Sequence, residues 1–444
     1  MHHKFLLAVT LLGGLLLASF SITFQQLLTM TNNLIVYDGN DHDKPRQVQK
    51  EKNKSSFRES MIAFDWDTFE RAEENKSTDA QMYWRQLFNL LVEFNIMEPK
   101  VPINTECKAP KLLESKEVDC SQYPDAFLPE KRESSARIGH MIQLGFDVDT
   151  LEVHLNELAD VVDYFFIIEW TESHNKQVSH KRLTWEAVKK QPRFEKFQDK
   201  VVHFILDDVD TMTVTNNNGQ WAREGYQEGK RWTKFQEWNI ASKHFGPNDV
   251  LGFGDADEIP SRKNVQLLKF CNIKGSGNKL DIGIWFPYGK VDYAFRTDWP
   301  VKNHPYTLGD PTFYLLKEAE KPKTPNRQRG TSGPFLLGGM HMTHYGYLPF
   351  QIIKGLTCTE CNNQGRSQQT MRKQISAAVK EQSWVEMEKY WSRQPEALKN
   401  RIPKISESGM SAAEAKKVIY LPWFYDCNRD RYPLWESKHD SRLD

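Results

Sequence analysis

The chain has 444 residues, and its 59 Lys and Arg residues are balanced by 59 Asp and Glu residues. This balance gives no electrostatic reason to expect a nucleic-acid partner, and none is predicted. The length allows one large catalytic domain with an appendage, or two to three smaller domains.

The first 24 residues predict a membrane anchor. No charged residue occurs between Phe5 and Phe24, and a run of about 20 such residues can span a bilayer as a helix. Lys4 precedes the run, and no Lys or Arg follows until Lys44. The short N-terminal side should therefore stay in the cytoplasm, which gives a single-pass type II topology. A cleaved signal peptide is the alternative, and both readings send the remaining chain into the secretory pathway.

The six cysteines suit an oxidising compartment, where an even number predicts disulfides without fixing their connectivity. Cys107 paired with Cys120 would close a small loop. Cys358 and Cys361 form a C-x-x-C, but no second pair of zinc ligands stands nearby at matching spacing, so disulfides are favoured over zinc. The two N-glycosylation sequons, which also suit a luminal chain, begin at Asn53 and Asn75.

Composition divides the rest of the chain into three parts. Residues 25–130 are polar and weakly patterned, and they predict a stem that holds a catalytic domain away from the membrane. Residues 131–436 carry a tighter hydrophobic pattern and are predicted to form that catalytic domain. Residues 437–444 are predicted to be a tail.

Strand and helix patterns alternate in the catalytic part. Short runs rich in β-branched or aromatic residues predict buried strands over residues 161–168, 201–206 and 250–254. Helical patterns lie between them, over residues 185–197 and 225–245. The alternation predicts an α/β fold with a doubly wound, mostly parallel sheet. Such sheets bind ligands beyond the carboxyl ends of their strands, so functional residues are expected there.

The acidic pair Asp255 and Asp257 follows one of these strands directly and precedes Glu258. Asp-x-Asp occurs five times in the chain, so only this position makes the pair informative. Carboxylates this close repel one another unless a cation neutralises them, and hard oxygen ligands suit Mn²⁺ or Mg²⁺. Small residues around the pair would leave room for a ligand to approach the backbone. The alternative is a turn capped by the Asp side chains.

Two further elements could contribute to the same site. His341 ends an apolar run, and its imidazole could complete the coordination of the metal, with His344 a weaker candidate. Lys230, Arg231 and Lys234 lie on the predicted helix 225–245 and could bind phosphates, although solvated helix charges are the alternative reading.

The segment from Leu151 to Phe165 resembles the start of the catalytic region in glycosyltransferase family 17. The resemblance covers roughly residues 135–360, and its most specific piece is the string Asp-Ala-Asp-Glu-Ile-Pro at 255–260. Further matching pieces are Ile168-Glu169, Lys181-x-Leu183, Asn248-Asp249-Val250 and Gly339-Met340-His341. Met340 departs from the aromatic residue usual in the family, and the Cys and Trp that follow His341 in animal members are absent.

The resemblance implies a GT-A-type fold and an inverting transfer of N-acetylglucosamine from UDP-N-acetylglucosamine, in β1,4 linkage, to the core mannose of an N-glycan. It assigns Asp255 and Asp257 to the metal and nucleotide motif, and Glu169 to a strand-end position on the nucleotide side. A UDP-sugar donor, a glycoprotein acceptor, Mn²⁺ or Mg²⁺ and a location in the Golgi membrane follow as expectations.

An inverting transfer needs a carboxylate to take the proton of the acceptor hydroxyl. The sequence offers Glu258 and Asp292 first, and Asp298 and Asp310 after them. Two other classes of function stay open on sequence alone. One is a luminal sugar-binding protein without activity, and the other is a metal-dependent hydrolase.

Overall fold

The structure is a computed structural model. It describes residues 57–75, 77–171, 174, 182–206, 222–275, 279–298, 300–302, 304–319, 333–342, 344–345, 353–354, 357, 400–436, 438 and 440–443. These residues belong to a single unit, Ser55–Asp444. The predictions for the anchor, the Asn53 sequon, Lys181, Cys358 and Cys361 lie outside the described residues. Within the described ranges, every helix is too short or too polar to cross a membrane.

Helices and strands alternate along most of the described chain. The helices are α1 Phe57–Ala63, α2 Trp66–Glu74, α3 Asp79–Ile96, α4 Val148–Leu158, α5 Thr184–Val188, α6 Pro192–Glu195, α7 Ala222–Ser242, α8 Arg262–Phe270, α9 Leu316–Ala319, α10 Ala412–Val418 and α11 Trp423–Cys427. The strands are β1 Phe127–Lys131, β2 Ile138–Gln143, β3 Tyr164–Trp170, β4 Val201–Leu206, β5 Val250–Asp255, β6 Glu258–Pro260, β7 Cys271–Ile273, β8 Lys279–Trp285, β9 Pro287–Ala294, β10 Thr307–Leu315, β11 Phe335–His341 and β12 His344–Tyr345.

Eight of these strands form one sheet in the order β4-β3-β2-β5-β10-β8-β11-β6. The first four strands in this order are all parallel, and β11 is parallel to β8. β10 is antiparallel to both of its neighbours, and β6 is antiparallel to β11. The predicted α/β fold with a mostly parallel sheet is therefore confirmed. β1 pairs with β7 and β12 with β9 in two separate two-stranded sheets.

Alternation along the strands divides the core between the two faces of the sheet. In β3, Phe165 and Ile167 belong to the buried cluster that includes α4, whereas Phe166 and Ile168 belong to the cluster that includes Trp232 and Phe235 of α7. Successive side chains of a strand point to opposite faces, so a strand covered on both sides must be apolar throughout. The continuous apolar run that predicted β3 has this origin.

The helices of residues 57–96 fall within the segment for which a stem is predicted. Trp84, Leu87 and Leu91 of α3 are at most 1% exposed, and they belong to the same buried cluster as Leu151 and Leu155 of α4. Burying a large apolar side chain contributes about 1.5–3 kcal/mol, so α3 stabilises the fold on which the sheet depends. From Phe57 onward the predicted stem is thus part of the folded unit.

Two disulfides join distant parts of the chain. Cys107 pairs with Cys427, and Cys120 pairs with Cys271. The pairing of Cys107 with Cys120, considered from their short separation in sequence, is therefore wrong. Proximity in sequence does not determine proximity in the fold, and here the partners are 320 and 151 residues apart.

Buried ion pairs connect the C-terminal segment to α4, in a group that we call the arginine clamp. Arg193 and Arg442 contact Asp149 at 2.9 and 2.8 Å, and Arg431 contacts Glu152 at 2.8 Å. All three arginine side chains are at most 2% exposed. Arg442, in the predicted tail, is therefore anchored in the folded unit.

Candidate active site

The parallel strands β2 and β5 bring their carboxyl ends to the same edge of the sheet. Gln143 of β2 lies opposite Asp255 of β5, and the Gln143 carbonyl accepts a hydrogen bond of 3.0 Å from the Ala256 amide. Asp255 is the last residue of β5, and Asp257 lies in the turn that leads to β6. The structure thus places the predicted acidic pair at the edge where α/β sheets bind ligands.

β11 brings His341 to the same turn. Its backbone pairs with β6 so that His341 lies opposite Glu258, and the Met342 amide donates to the Asp257 carbonyl at 2.9 Å. The His341 Nε2 atom then lies 3.6 Å from Asp257 Oδ2. The structure therefore brings His341 and Asp257 together. His344 lies on the next strand, β12, which pairs with β9.

Lys354 also reaches this turn, and no motif near it in the sequence marks it as a site residue. Its Nζ donates to Asp257 Oδ2 at 3.1 Å. Burial alone would lower the pKa of Lys354, but the negative charges of Asp257, Asp147 and Asp255 outweigh burial and raise the pKa. Lys354 is therefore a cation at neutral pH.

Arg231 of α7 is fully buried beside the acidic pair. Its Nη1 lies 4.0 Å from Asp255 Oδ1, and its Nη2 lies 3.3 Å from Glu228 Oε1. Within the described part of the chain, none of the three guanidinium nitrogens has a hydrogen-bond partner of good geometry. Such donors are suited to the oxygens of an anionic ligand. Lys234, by contrast, is 42% exposed and pairs with Glu237, as the solvated-helix reading expects.

Asp147 is a buried carboxylate that faces the same cluster. It occupies the N-cap position of α4 but makes no side-chain capping bond, and its Oδ1 has no hydrogen-bond partner among the described residues. Burial raises the pKa of Asp147 to about 8, helped by the charges of Asp257 and Asp255 and opposed by Lys354. We call Asp147, Arg231, Asp255, Asp257 and Lys354 the acidic cluster.

Two buried histidines support the turn that carries the acidic pair. His154 Nδ1 lies 3.1 Å from the Ala256 carbonyl, and His154 Nε2 lies 3.0 Å from His140 Nε2. A carbonyl only accepts, so His154 must donate from Nδ1 and accept from His140 at Nε2. Burial lowers the pKa of His154 to about 4 and the pKa of His140 further below its usual value, so both rings are neutral.

Glu169 and Glu258 have local partners in the fold. Glu169 is fully buried, and its oxygens accept from the amides of Thr184 and Trp185 at 2.6 and 2.8 Å. This carboxylate therefore holds the start of α5, which is a structural role that its strand-end position did not reveal. Glu258 is also fully buried and accepts from the Asp255 amide at 2.8 Å.

The other candidate bases differ in exposure. Asp292 of β9 has a side chain that is 61% exposed and pairs with Lys290 at 3.1 Å. Asp298 is 65% exposed and pairs with Arg401 at 2.8 Å, whereas Asp310 is fully buried in β10. In the described ranges, the structure shows no contact that joins Asp292 or Asp298 to the acidic cluster.

Neighbouring side chains explain the small residues before the acidic pair. The sequence predicts that these small residues leave room for a ligand. A Cβ atom on Gly252 would collide with the Phe313 ring and His140, and one on Gly254 would collide with Pro311. Protein atoms fill that space, so the interpretation is wrong for these two glycines.

The chemistry of the side chains around the acidic pair fits a divalent cation. Two carboxylates and an imidazole, from Asp255, Asp257 and His341, are ligands that Mn²⁺ accepts. The buried Oδ1 of Asp147 adds an oxygen without a described partner. Within the described ranges, however, no three His, Cys, Asp or Glu side chains are already arranged to hold a metal ion. Lys354 contacts Asp257 where such an ion would bind.

Comparison with known proteins defines the class. Residues 113–296 match the family model of Glycosyltransferase family 17. A segment of 138 residues is 28% identical to the "Beta-1,4-mannosyl-glycoprotein 4-beta-N-acetylglucosaminyltransferase" of Rattus norvegicus, and equally to that of Homo sapiens. The aligned segment is 31% of this chain and about a quarter (24%) of the length of each relative. The matches indicate an enzyme of the glycosyltransferase class, and residues 113–296 are the part of the chain that is similar to family 17.

Proposed function

We propose that the protein transfers N-acetylglucosamine from UDP-N-acetylglucosamine to the core mannose of N-glycans, in β1,4 linkage and with inversion at the anomeric carbon. The names of the two relatives support this donor and acceptor. The observation that carries the proposal is the position of Asp255 and Asp257 at the carboxyl edge of the sheet, next to the buried guanidinium of Arg231. A GT-A-type fold is part of the proposal, and the parallel half of the sheet supports it.

In this proposal Asp255, Asp257 and His341 hold Mn²⁺, with Mg²⁺ as the alternative ion. The ion supplies positive charge that stabilises the leaving diphosphate. Arg231 binds the same diphosphate, because its Nη1 lies 4.0 Å from Asp255 Oδ1 and its guanidinium is shielded from water. The histidine pair below the turn keeps the Ala256 carbonyl, and with it the two carboxylates, in a fixed orientation.

The proposed base is a carboxylate that the acceptor can reach. Of the two first candidates, Glu258 is fully buried and bonded within the turn, whereas Asp292 is 61% exposed. Asp292 is therefore the better candidate for taking the proton of the attacking hydroxyl. Glu258 is better suited to holding the conformation of the turn.

We further propose that residues 1–24 anchor the enzyme in the Golgi membrane, with the folded unit in the lumen. The disulfides Cys107–Cys427 and Cys120–Cys271 support an oxidising compartment.

The experiment offers the detergent-extracted full chain a panel of nucleotide sugars, with an N-glycan acceptor and either Mn²⁺ or a chelator. We expect transfer from UDP-N-acetylglucosamine in Mn²⁺ and a product whose new linkage is β1,4 to mannose. Transfer of another sugar would refute the donor, and a different linkage would refute the acceptor assignment. Net hydrolysis of glycans, or sugar binding without turnover, would favour one of the two other classes.

A further inference from the structure

Lys354 lies where the proposed metal ligands converge. Its ammonium group is 3.1 Å from Asp257 Oδ2, and the imidazole of His341 is 3.6 Å from the same oxygen. The Asp257 side chain is only 3% exposed, so water does little to stabilise its charge. Removing one partner from a buried ion pair leaves a buried charge uncompensated, which is strongly destabilising. Lys354 therefore stabilises the acidic turn when no other cation is present.

A divalent cation bound to Asp257 would compete with Lys354. The metal ion and the Lys354 ammonium both need the Asp257 carboxylate. Two positive charges beside one carboxylate repel each other strongly in a partly buried site. Arg231 lies beside Asp255, which is a different carboxylate, and can stay in place. Within the described cluster, a metal ion must therefore displace Lys354, but it need not displace Arg231.

We propose that Lys354 is an internal counter-ion, which occupies the cation position of the metal-free enzyme and leaves Asp257 when the donor's divalent cation binds. This inference rests on the metal site of the proposed function and adds a step to it. Before the donor arrives, Lys354 balances the charge of Asp257 and keeps the turn folded. Lys354 also weakens metal binding, because its contact with Asp257 must first be broken.

The test uses the full chain after treatment with a chelator, without nucleotide, and titrates Mn²⁺ by calorimetry. Lys354→Met removes the charge at similar side-chain length, and Lys354→Gln removes it while keeping a hydrogen-bond donor for Asp257. Both variants should unfold at a lower temperature than the wild type in chelator. Both should bind Mn²⁺ roughly tenfold more tightly or better, because the competing cation is gone. Lys354→Arg keeps the charge and should bind Mn²⁺ about as the wild type does.

Lys269→Met is the matched control. Lys269 pairs with Asp163 at the same distance of 3.1 Å, outside the acidic cluster, and the two lysine side chains are 19% and 25% exposed. Asp163 is more exposed than Asp257, at 35% against 3%. This variant should also melt earlier, while its Mn²⁺ affinity should equal that of the wild type. The control separates the loss of a partly buried lysine ion pair from the loss of the cation that competes with Mn²⁺.

An unchanged or weaker Mn²⁺ affinity in both neutral variants would overturn the inference. So would full transfer activity of the wild type in chelator that is lost in Lys354→Met, because Lys354 would then replace the metal throughout. The proposed function fails separately, through the absence of sugar transfer. If Mn²⁺ affinity responds as expected in a protein that transfers no sugar, the inference about Lys354 stands and the proposed function does not.

Discussion

Two buried groups of charges meet at the N-terminal part of α4, and they are balanced in opposite ways. In the arginine clamp, Asp149 lies between two guanidinium groups. In the acidic cluster, Asp147 faces two further carboxylates and shares Lys354 with them. Burial alone would raise the pKa of both, but Arg442 and Arg193 lower the pKa of Asp149, whereas the pKa of Asp147 rises to about 8.

The difference separates stability from function within one Asp-x-Asp pair. A carboxylate that is fully paired with arginines holds elements together, and it has no capacity left for a ligand. A buried carboxyl group that faces two carboxylates is unfavourable in its charged form until a cation binds, which is typical of functional sites. The clamp fixes α4, and α4 in turn presents Asp147 and His154 to the acidic turn.

The largest effect on stability is expected from breaking the clamp. Arg431→Met leaves Glu152 buried with one partner fewer, and it should lower the free energy of unfolding by about 3–5 kcal/mol. Arg429→Met, two residues away, removes contacts of a 40% exposed guanidinium with Asp426 and Glu436, and it should lower the free energy of unfolding by about 1 kcal/mol. Urea unfolding of both variants measures the difference. Equal losses would mean that burial of the clamp has no energetic consequence.

The pair of histidines that supports the acidic turn should contribute less to the free energy of unfolding than the arginine clamp does. His154→Leu leaves the Ala256 carbonyl and the His140 Nε2 donor without their partner, and it should lower the free energy of unfolding by about 1–3 kcal/mol. His154→Asn can still donate to Ala256 and should recover part of that loss and most of the Mn²⁺ affinity. If the leucine variant binds Mn²⁺ as tightly as the wild type, the histidine pair does not orient the turn.

The third effect is the pH dependence that Asp147 confers, which is small over any single pH unit. Its pKa rises from an ordinary value of 3.8 to about 8, so between these values the folded state holds a proton that the unfolded chain has released. Its contribution to stability is present in full below pH 3.8 and is lost as pH rises through 8, by about 1.4 kcal/mol for each pH unit in between. Asp149 has the opposite sign, because its pKa is lowered.

The measurement compares the wild type with Asp147→Asn in urea, in the presence of a chelator, at a series of pH values. Asparagine does not titrate, so the stability of the variant relative to the wild type should grow as pH rises toward 8. Parallel curves for the two proteins would show that Asp147 is not protonated in the folded state.

Local pattern determined how much of this could be predicted from the sequence. The strands were visible because burial on both faces makes them continuously apolar, and Asp255 follows such a strand directly. β10 enters the sheet between β5 and β8, and no local pattern specifies which distant strand will pair with it. The disulfide partners escaped prediction for the same reason.

The acidic cluster shows the same limit. Lys354 is 97 residues from Asp257, and nothing near it in the sequence marks it as a partner of a carboxylate. Asp147 was visible as one of five acidic pairs, but only the register of β2 with β5 shows that its loop adjoins Asp255. Glu169 was noticed for its strand-end position, and its bonds to the start of α5 required the fold.

The most direct test of the central claim is the rate of sugar transfer by Asp257→Ala, measured with UDP-N-acetylglucosamine, an N-glycan acceptor and Mn²⁺. The side chain lies in a turn beyond β5 but is buried and pairs with Lys354, so the variant should fold and melt somewhat below the wild type. Its rate should fall on the order of 100-fold or more, because an electrostatic stabiliser of the transition state is lost. Asp255→Ala should lose somewhat less. A variant at position 257 that melts normally, keeps its stabilisation by Mn²⁺ and transfers sugar at the wild-type rate would contradict the account, because the acidic pair would then be only a capped turn.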